Sequence, residues 1–274
     1  MLEQIIHKWF KVPYKLHAEI MKNPIRPKAT LLLLHGIGNN SHAWDAVIKK
    51  LPKNIRVIAI DLLGFGQSPK PKIIEYNAYQ QARCVIRTYL SLGSPKKIII
   101  VGHSLGALVG VELAKRYPLL VQSLILVSPP FYRAEDPSTK TLLPQPDDVL
   151  KDIYKVILKK PKEFVKLADI AMKYNLINDV FNVSDKNIES YMNTLQASII
   201  NQKSMEIAQE LTLPIEIIYG KLDPIVVTKN LKSLDSIMPN VTLNSALATH
   251  ELKGALISEV TKSINNLVTF GSKK

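Results

Sequence analysis

The chain has 274 residues, of which 46% are hydrophobic, and a formal net charge of +13 at pH 7. This length and composition predict a globular protein with a large core, built as one domain or as one domain with an insertion, and exclude disorder except at the ends. Apolar runs such as Leu31–Leu34 and Ile98–Val101 are far shorter than the roughly 20 residues that span a bilayer, so no transmembrane helix is predicted.

The distribution of charged residues and the single cysteine limit which binding partners and which cellular compartment are expected. Lysines are scattered along the chain without a nucleic-acid-binding motif, which indicates a solvated lysine-rich surface and no nucleic-acid partner. Charges interrupt the N-terminal segment, so it predicts neither a secretory signal nor stable membrane insertion. Cys84, the one cysteine, lies in an amphipathic helical pattern and is expected to be a buried thiol rather than a catalytic one. A chain that forms no internal disulfide fits a cytoplasmic location.

Up to residue 128 the sequence alternates apolar strand patterns with amphipathic helical patterns. Strands separated by helices form a parallel sheet that helices cover on both faces, so the predicted fold class is α/β. In chain order, the expected elements are a pair of strands around 12–21, a strand at 29–35, a helix at 43–51, a strand at 55–61, a helix at 76–92, a strand at 97–101, a helix at 105–117 and a strand at 123–128.

The strand pattern stops between residues 129 and 212, where amphipathic helical patterns predict an inserted helical cap. Pro129-Pro130 opens this segment and Pro214 follows it, as expected where regular elements must break. The expected organisation is a first core part at 1–128, the cap at 129–212 and a second core part at 213–274. The later elements are helices at 147–160, 161–175, 184–201 and 203–211, a strand at 215–219, a helix at 226–238, a strand at 241–245 and a helix from 250 or 251 to 270.

Gly102-His103-Ser104-Leu105-Gly106 joins a predicted strand to a predicted helix. Glycine at positions 102 and 106 allows a sharp turn, because a side chain at either place would collide with neighbouring backbone. Such a turn presents the serine at the end of the strand, and this pattern in this context is typical of a nucleophile. Ser104 is therefore the predicted nucleophile.

A serine nucleophile needs a base, normally an imidazole, and a third group that orients the imidazole. Of the six histidines, His250 is favoured because it is predicted in a loop after a strand, at the carboxyl edge of the sheet. His103 is expected to point elsewhere on its turn. Asp223 follows another strand at the same edge and is the predicted acid, with Asp136 as the reserve. The chain order Ser104, Asp223, His250 is the order expected for such a strand-to-helix turn.

Two backbone N–H groups are expected to stabilise the oxyanion that forms when a carbonyl is attacked. Leu105 supplies one by its position after the serine. The turn His35-Gly36-Ile37-Gly38 follows a strand, and its glycines let the backbone approach a substrate. The N–H of Ile37 is therefore the second predicted donor.

These motifs, together with Asp61-x-x-Gly64-x-Gly66-x-Ser68 and Gly220-x-x-Asp223, resemble the α/β-hydrolase superfamily over about residues 12–270. The resemblance implies an eight-stranded, mostly parallel sheet, a cap after the sixth strand, and Ser-Asp-His chemistry with oxyanion donors at Ile37 and Leu105. Thr249 and Ala107 stand where members often have glycine, and neither change removes a catalytic group. Serine at position 104 argues against the haloalkane dehalogenases and epoxide hydrolases of this superfamily, which use an aspartate there.

The predicted function is hydrolysis of carboxylic esters of small to medium apolar substrates through an acyl-enzyme on Ser104. The expected partner is a small-molecule ester, with no cofactor and no metal. Two alternatives stay open: a hydrolase that cleaves carbon-carbon bonds of diketone-like compounds, and a non-catalytic ligand receptor. A dinucleotide site at Gly36–Ser41 is disfavoured, because the third glycine of that fingerprint is missing.

Apolar side chains of the cap are candidates for an acyl pocket, and each also fits ordinary helix packing. Gly36 and His103 are further pocket candidates. The cap candidates are Phe131, Tyr132, Tyr154, Phe164, Met172, Phe181, Tyr191 and Met192.

Overall fold

The centre of the protein is a mostly parallel β-sheet. The computed structural model describes residues 4–93, 96–132, 155, 159–174, 182–184 and 187–270. The strands are β1 (Ala18–Lys22), β2 (Thr30–Leu34), β3 (Arg56–Ile60), β4 (Ile98–His103), β5 (Val121–Val127), β6 (Ile215–Gly220) and β7 (Val241–Ala246). Their order in the sheet is β1-β3-β2-β4-β5-β6-β7, and of these described strands only β1 runs antiparallel to its neighbour. The predicted α/β fold with a mostly parallel sheet is confirmed.

Helices cover both faces of the sheet, as predicted. They are α1 (Asp45–Ile48), α2 (Ala78–Ser91), α3 (Leu105–Arg116), α4 (Pro161–Lys173), α5 (Ile188–Thr194), α6 (Ser204–Gln209), α7 (Thr228–Ile237) and α8 (Gly254–Phe270), with a 3₁₀ turn at Ser41–Trp44 and π-helical turns at Gln4–Trp9 and Leu195–Ile200. Because successive side chains of a strand point to opposite faces, β2 divides its leucines between two cores. Leu32 and Leu34 pack with α2 and α3, whereas Leu31 and Leu33 pack with α1 and α8.

The N-terminal part of the chain contributes one strand, where the sequence predicts a pair. The Leu16 N–H donates to the Thr88 hydroxyl at 2.8 Å, and the His17 N–H donates to the Ser68 hydroxyl at 2.9 Å. Since these amides are bonded to side chains, residues 12–17 form no strand before β1. The described residues therefore hold seven strands rather than the expected eight.

Between β5 and β6 the regular elements of the described residues are all helical, namely α4, α5, α6 and one π-helical turn. This agrees with the helical patterns predicted for residues 161–211. Tyr76 provides two of the hydrogen bonds between the segment and the core: its Oη lies 3.2 Å from Ser190 Oγ, and its carbonyl accepts from the Ser198 hydroxyl. Most of the helix predicted at 147–160, and the candidates Asp136, Tyr154 and Phe181, lie outside the described residues. The division into parts at 1–128, 129–212 and 213–274 stays a prediction.

Cys84 lies fully buried on α2, which confirms the buried thiol expected there. Burial raises the pKa of the thiol to about 11. A thiol that stays protonated at neutral pH is a weak nucleophile, so Cys84 belongs to the core.

Asp61 holds together the loop that follows β3. Its Oδ1 accepts a hydrogen bond from the Ser41 N–H at 2.7 Å, and its Oδ2 accepts one from the Gln67 N–H at 2.8 Å. The Ser68 hydroxyl, in turn, donates to the Asp61 carbonyl. One buried carboxylate thus joins the turn after β2 to the turn after β3, the two chain segments beside the expected oxyanion donor.

We expect Asp61→Ala to lower the free energy of unfolding by about 2–4 kcal/mol, because two backbone N–H groups lose their acceptor. Urea unfolding measures the effect. Asp45→Ala removes an exposed carboxylate from α1 and serves as the control, with an expected change of less than about 0.5 kcal/mol. Equal effects of the two substitutions would contradict this role of Asp61.

Candidate active site

Ser104 lies in the turn between β4 and α3, in a backbone conformation that residues other than glycine rarely adopt. Its φ and ψ are 52° and −114°. The turn is held by a hydrogen bond from the Ser104 N–H to the Val127 carbonyl, at 2.9 Å. Strained backbone of this kind persists only where the surrounding structure enforces it, and it is concentrated at functional sites.

Close backbone packing explains the two glycines that flank the serine. A Cβ on Gly102 would lie 2.3 Å from the carbonyl oxygen of Gly106, and a Cβ on Gly106 would lie 2.1 Å from that of Leu34. Both distances are well inside van der Waals contact, so any side chain would push α3 away from the sheet. The structure confirms the cramped strand-turn-helix that the sequence predicts at Ser104.

Asp223 and His250 form a hydrogen bond, with Nδ1 of His250 2.7 Å from Oδ2 of Asp223. The other carboxylate oxygen accepts from the Ile225 N–H at 2.9 Å. Burial of Asp223 disfavours the charged form, but the hydrogen bond and charge of His250, with the Ile225 N–H, outweigh it and place the pKa below its ordinary value. Asp223 is therefore a carboxylate at neutral pH, and it holds the Nδ1–H form of His250 with Nε2 available to accept a proton.

The loops that carry Asp223 and His250 are bound to each other. Gly220 ends β6, and a Cβ at this position would lie 2.3 Å from the Ala248 carbonyl oxygen and 2.5 Å from that of Thr249. The N–H of Leu222 donates to the Ala248 carbonyl at 3.0 Å. The helix predicted from 250 or 251 begins instead at Gly254, which leaves His250 in this loop.

His103 contacts the loop of His250, where the sequence predicts that it points elsewhere. Its Nε2–H donates to the His250 carbonyl at 2.9 Å, and the two rings are 5.0 Å apart between centroids. A Cβ on Gly36 would lie 2.9 Å from Nδ1 of His103 and 3.3 Å from Cβ of Ser104. His103 thus lies among the turn at Gly36, the serine and the histidine loop.

His35 fixes the turn that contains Ile37. Its Nε2 accepts from the Leu62 N–H at 2.9 Å, so Nδ1 carries the proton and donates to the Gly36 carbonyl at 2.7 Å. The Gly36 carbonyl and the Ile37 N–H belong to one planar peptide, so this bond also orients the Ile37 N–H. Within the described part of the chain, neither the Ile37 nor the Leu105 N–H donates a hydrogen bond. Both are available to an oxyanion, and they stay its predicted donors.

Phe131 and Tyr132 are buried just after β5. The Phe131 carbonyl accepts from Asn230 Nδ2 at 2.8 Å, and the Tyr132 hydroxyl donates to the carbonyl of Ile225, which itself binds Asp223. These contacts place both aromatic residues on the Asp223 side of the site. Their role as pocket lining, like that of Gly36 and His103, stays a prediction.

Comparison with known proteins agrees with this architecture. The sequence model of a family described as alpha/beta hydrolase fold matches residues 29–250. The chain belongs to this family. Two solved structures share the fold: an esterase from Exiguobacterium antarcticum, with a TM-score of 0.73 and 15% identity over 93% of this chain and 96% of that one, and an enol-lactonase from Burkholderia xenovorans, with a TM-score of 0.69 and 20% identity over the same shares.

Curated relatives of this α/β hydrolase match over shorter stretches. An uncharacterized protein of Mycobacterium tuberculosis is 47% identical over 98 residues, which are 36% of this chain and 28% of the relative. A probable lysophospholipase of Arabidopsis thaliana, BODYGUARD 5, is 33% identical over 113 residues, 39% of this chain and 26% of the relative. The matches thus span about a quarter of the length of these relatives.

His35 and His103 are the site residues whose roles the sequence did not indicate. Both imidazoles are buried in this hydrolase, and burial lowers the pKa of each, that of His103 to about 3. Both are therefore neutral at pH 7 and act through hydrogen bonds rather than charge. The strand followed by glycine at His35 is the only feature of the sequence that could have indicated this hydrogen-bonding role.

The buried neutral His103 generates a prediction about pH. Above its ordinary pKa of 6.5, folded and unfolded chains both carry the neutral ring and it adds no pH dependence. Between pH 6.5 and about 3 only the unfolded chain is protonated, so acidification lowers the free energy of unfolding by about 1.4 kcal/mol per pH unit. His103→Gln keeps an amide donor but has no imidazole to protonate. Between about pH 6.5 and pH 5, its free energy of unfolding should fall by about 2 kcal/mol less than that of the native protein, as measured by urea unfolding.

The exposed His42→Gln variant controls for removal of an imidazole as such. If the native protein and His103→Gln have the same dependence of unfolding free energy on pH, His103 is not held neutral by the fold.

Proposed function

We propose that this α/β hydrolase is a serine hydrolase that cleaves carboxylic esters of small to medium apolar substrates. The observation that carries the proposal is the 2.7 Å hydrogen bond between His250 and the buried carboxylate of Asp223, at the same sheet edge as the strained turn of Ser104. This is the arrangement by which an imidazole is oriented to activate a serine hydroxyl.

The reaction proceeds in two half-reactions. Ser104 Oγ attacks the ester carbonyl carbon while its proton passes to Nε2 of His250, and the oxyanion accepts hydrogen bonds from the Ile37 and Leu105 N–H groups. His250 then returns the proton to the leaving alcohol as the carbon-oxygen bond breaks. Water attacks the acyl-Ser104 with His250 again as base, which releases the acid and restores the hydroxyl. The hydrogen bond from Oγ to Nε2 is expected to form when substrate binds.

The helical segment between β5 and β6 supports a site that is covered from solvent. We propose that it forms the cap of the site. The Asn182 N–H donates to the Gly38 carbonyl at 2.7 Å, so the segment reaches the turn that holds the oxyanion donor. Its Tyr191 is buried, and burial together with the negative charge of Glu251, the neighbour of His250, raises the pKa of the phenol. A covered site excludes water and strengthens the hydrogen bonds to the oxyanion. Similarity to a named esterase and to probable lysophospholipases fits an ester substrate.

The nucleophile is tested by labelling with a fluorophosphonate probe and by turnover of p-nitrophenyl esters of graded chain length. Ser104→Ala should abolish labelling and lower kcat/KM by roughly 10⁴-fold or more, because no nucleophile remains. Ser236→Ala, on the exposed side of α7, is the matched control and should leave both unchanged. Labelling that persists in Ser104→Ala would exclude Ser104 as the nucleophile.

The same assay separates the alternatives. A carbon-carbon bond hydrolase would turn over a diketone-like substrate in preference to every ester, and a ligand receptor would bind esters without releasing acid. Asp223→Asn should lower kcat/KM for the preferred ester by roughly 10³- to 10⁴-fold, because the amide no longer holds the Nδ1–H form of His250. Activity within about threefold of the native protein would contradict the role of Asp223.

A further inference from the structure

Two adjacent aromatic side chains project into solvent at the N-terminal end of the described chain. Trp9 is 78% exposed and Phe10 is 73% exposed. Large apolar side chains that are exposed together cost free energy in water and mark interaction surfaces. We call this pair the aromatic tip.

Contacts within residues 5–14 keep the aromatic tip exposed to solvent. The Phe10 N–H donates to the Ile5 carbonyl and the Val12 N–H to the Ile6 carbonyl, at 3.1 and 3.2 Å. The His7 ring stacks on Tyr14 with centroids 3.6 Å apart. These contacts close the π-helical turn that ends at Trp9, so the exposure of the tip is fixed by the folded backbone.

Helix α2 anchors the same segment with two arginines. Arg83 donates to the Lys11 carbonyl and Arg87 to the Pro13 carbonyl. Their partners are uncharged, so both positive charges remain beside the tip. The tip is thereby attached to the core through α2, which packs on the sheet.

The two segments that hold the tip, residues 4–18 and α2, carry positive charges only. Residues 4–18 and α2 contain no Asp or Glu. Lys8, Lys11 and Lys15 are exposed here, next to Arg83 and Arg87. Within the described residues none of these five cations is paired with a carboxylate. The tip is therefore an apolar centre among unneutralised positive charges.

We propose that the aromatic tip docks on the surface of an anionic lipid bilayer. Trp9 and Phe10 enter the headgroup region, where amphipathic aromatic rings are favoured, and Lys8, Lys11 and Lys15 face the lipid phosphates. A second copy of the chain is a poorer occupant, because pairing two tips would bring like charges together. The proposed contact is peripheral. Among the described residues, no helix is long and apolar enough to cross a membrane. This inference is independent of the proposed esterase activity.

Tryptophan fluorescence provides a direct readout. The chain has two tryptophans, and the other, Trp44, is fully buried. A shift of emission to shorter wavelength on addition of vesicles therefore reports on Trp9. We expect the shift with vesicles of equimolar phosphatidylcholine and phosphatidylglycerol, and none with phosphatidylcholine alone.

Vesicle sedimentation measures the contribution of each part. Replacing Lys8, Lys11 and Lys15 by Gln should weaken binding by roughly 100-fold, at about fivefold per charge. The matched control replaces Lys49, Lys50 and Lys53 by Gln, which removes the same charge from exposed lysines at the end of α1, across the sheet from α2. Trp9→Ser with Phe10→Ser should weaken binding by at least about tenfold, whereas Leu119→Ser, at a residue 84% exposed, should not.

Several results would overturn the proposal. One is the absence of sedimentation with anionic vesicles, and another is an equal loss in the two lysine triple variants, which would mean non-specific attraction by net charge. Unchanged binding of the aromatic double variant would exclude insertion of the tip. A native protein that is dimeric by light scattering, and monomeric only in the aromatic double variant, would assign the tip to self-association. Circular dichroism confirms that each variant is folded.

Discussion

The contact between Gly106 and the backbone at the end of β2 is the constraint on which the site depends. Helix α3 approaches the sheet so closely that its first turn has no room for a Cβ, and this approach forces Ser104 into its strained conformation. The same closeness brings the N-terminus of α3, with its unpaired N–H groups and positive end of the dipole, beside the turn at Gly36. The packing of α3 on the sheet thus positions both the proposed nucleophile and the proposed oxyanion donors.

The histidines around this contact fall into two groups, which differ in their burial and in their hydrogen-bond partners. His250 is hydrogen-bonded to a buried carboxylate, the arrangement that orients an imidazole in the proposed reaction. In the described part of the chain, the rings of His35 and His103 bond to backbone groups, and burial keeps both rings neutral. Neutral rings join backbone segments without placing a positive charge beside His250, the proposed base. In the proposed mechanism, the site therefore uses one imidazole as a reactant and two as structural hydrogen-bond partners.

Most of the fold could be predicted from periodicity, because buried parallel strands and amphipathic helices leave strong patterns, as at Leu31–Leu34 and α2. The error at residues 12–17 arises because a side-chain hydroxyl can satisfy a strand's N–H, and a sequence pattern does not reveal the partner. For the site, chain order and strand ends predicted Asp223 and His250. The position of His103 could not be predicted, because its partner is the carbonyl of a residue far away in the chain.

The hydrogen bond from Asn182 to the Gly38 carbonyl would connect access to the proposed site with its proposed chemistry. Gly38 belongs to the same short turn as Ile37, so the backbone that would bind the oxyanion is also a point of attachment for the helical segment above it. If that segment moves away to admit a substrate, this bond must break, and the turn loses one of the contacts that hold it. Substrate entry and alignment of the proposed oxyanion donors would then be coupled, because the donors would be correctly positioned only after the segment has returned.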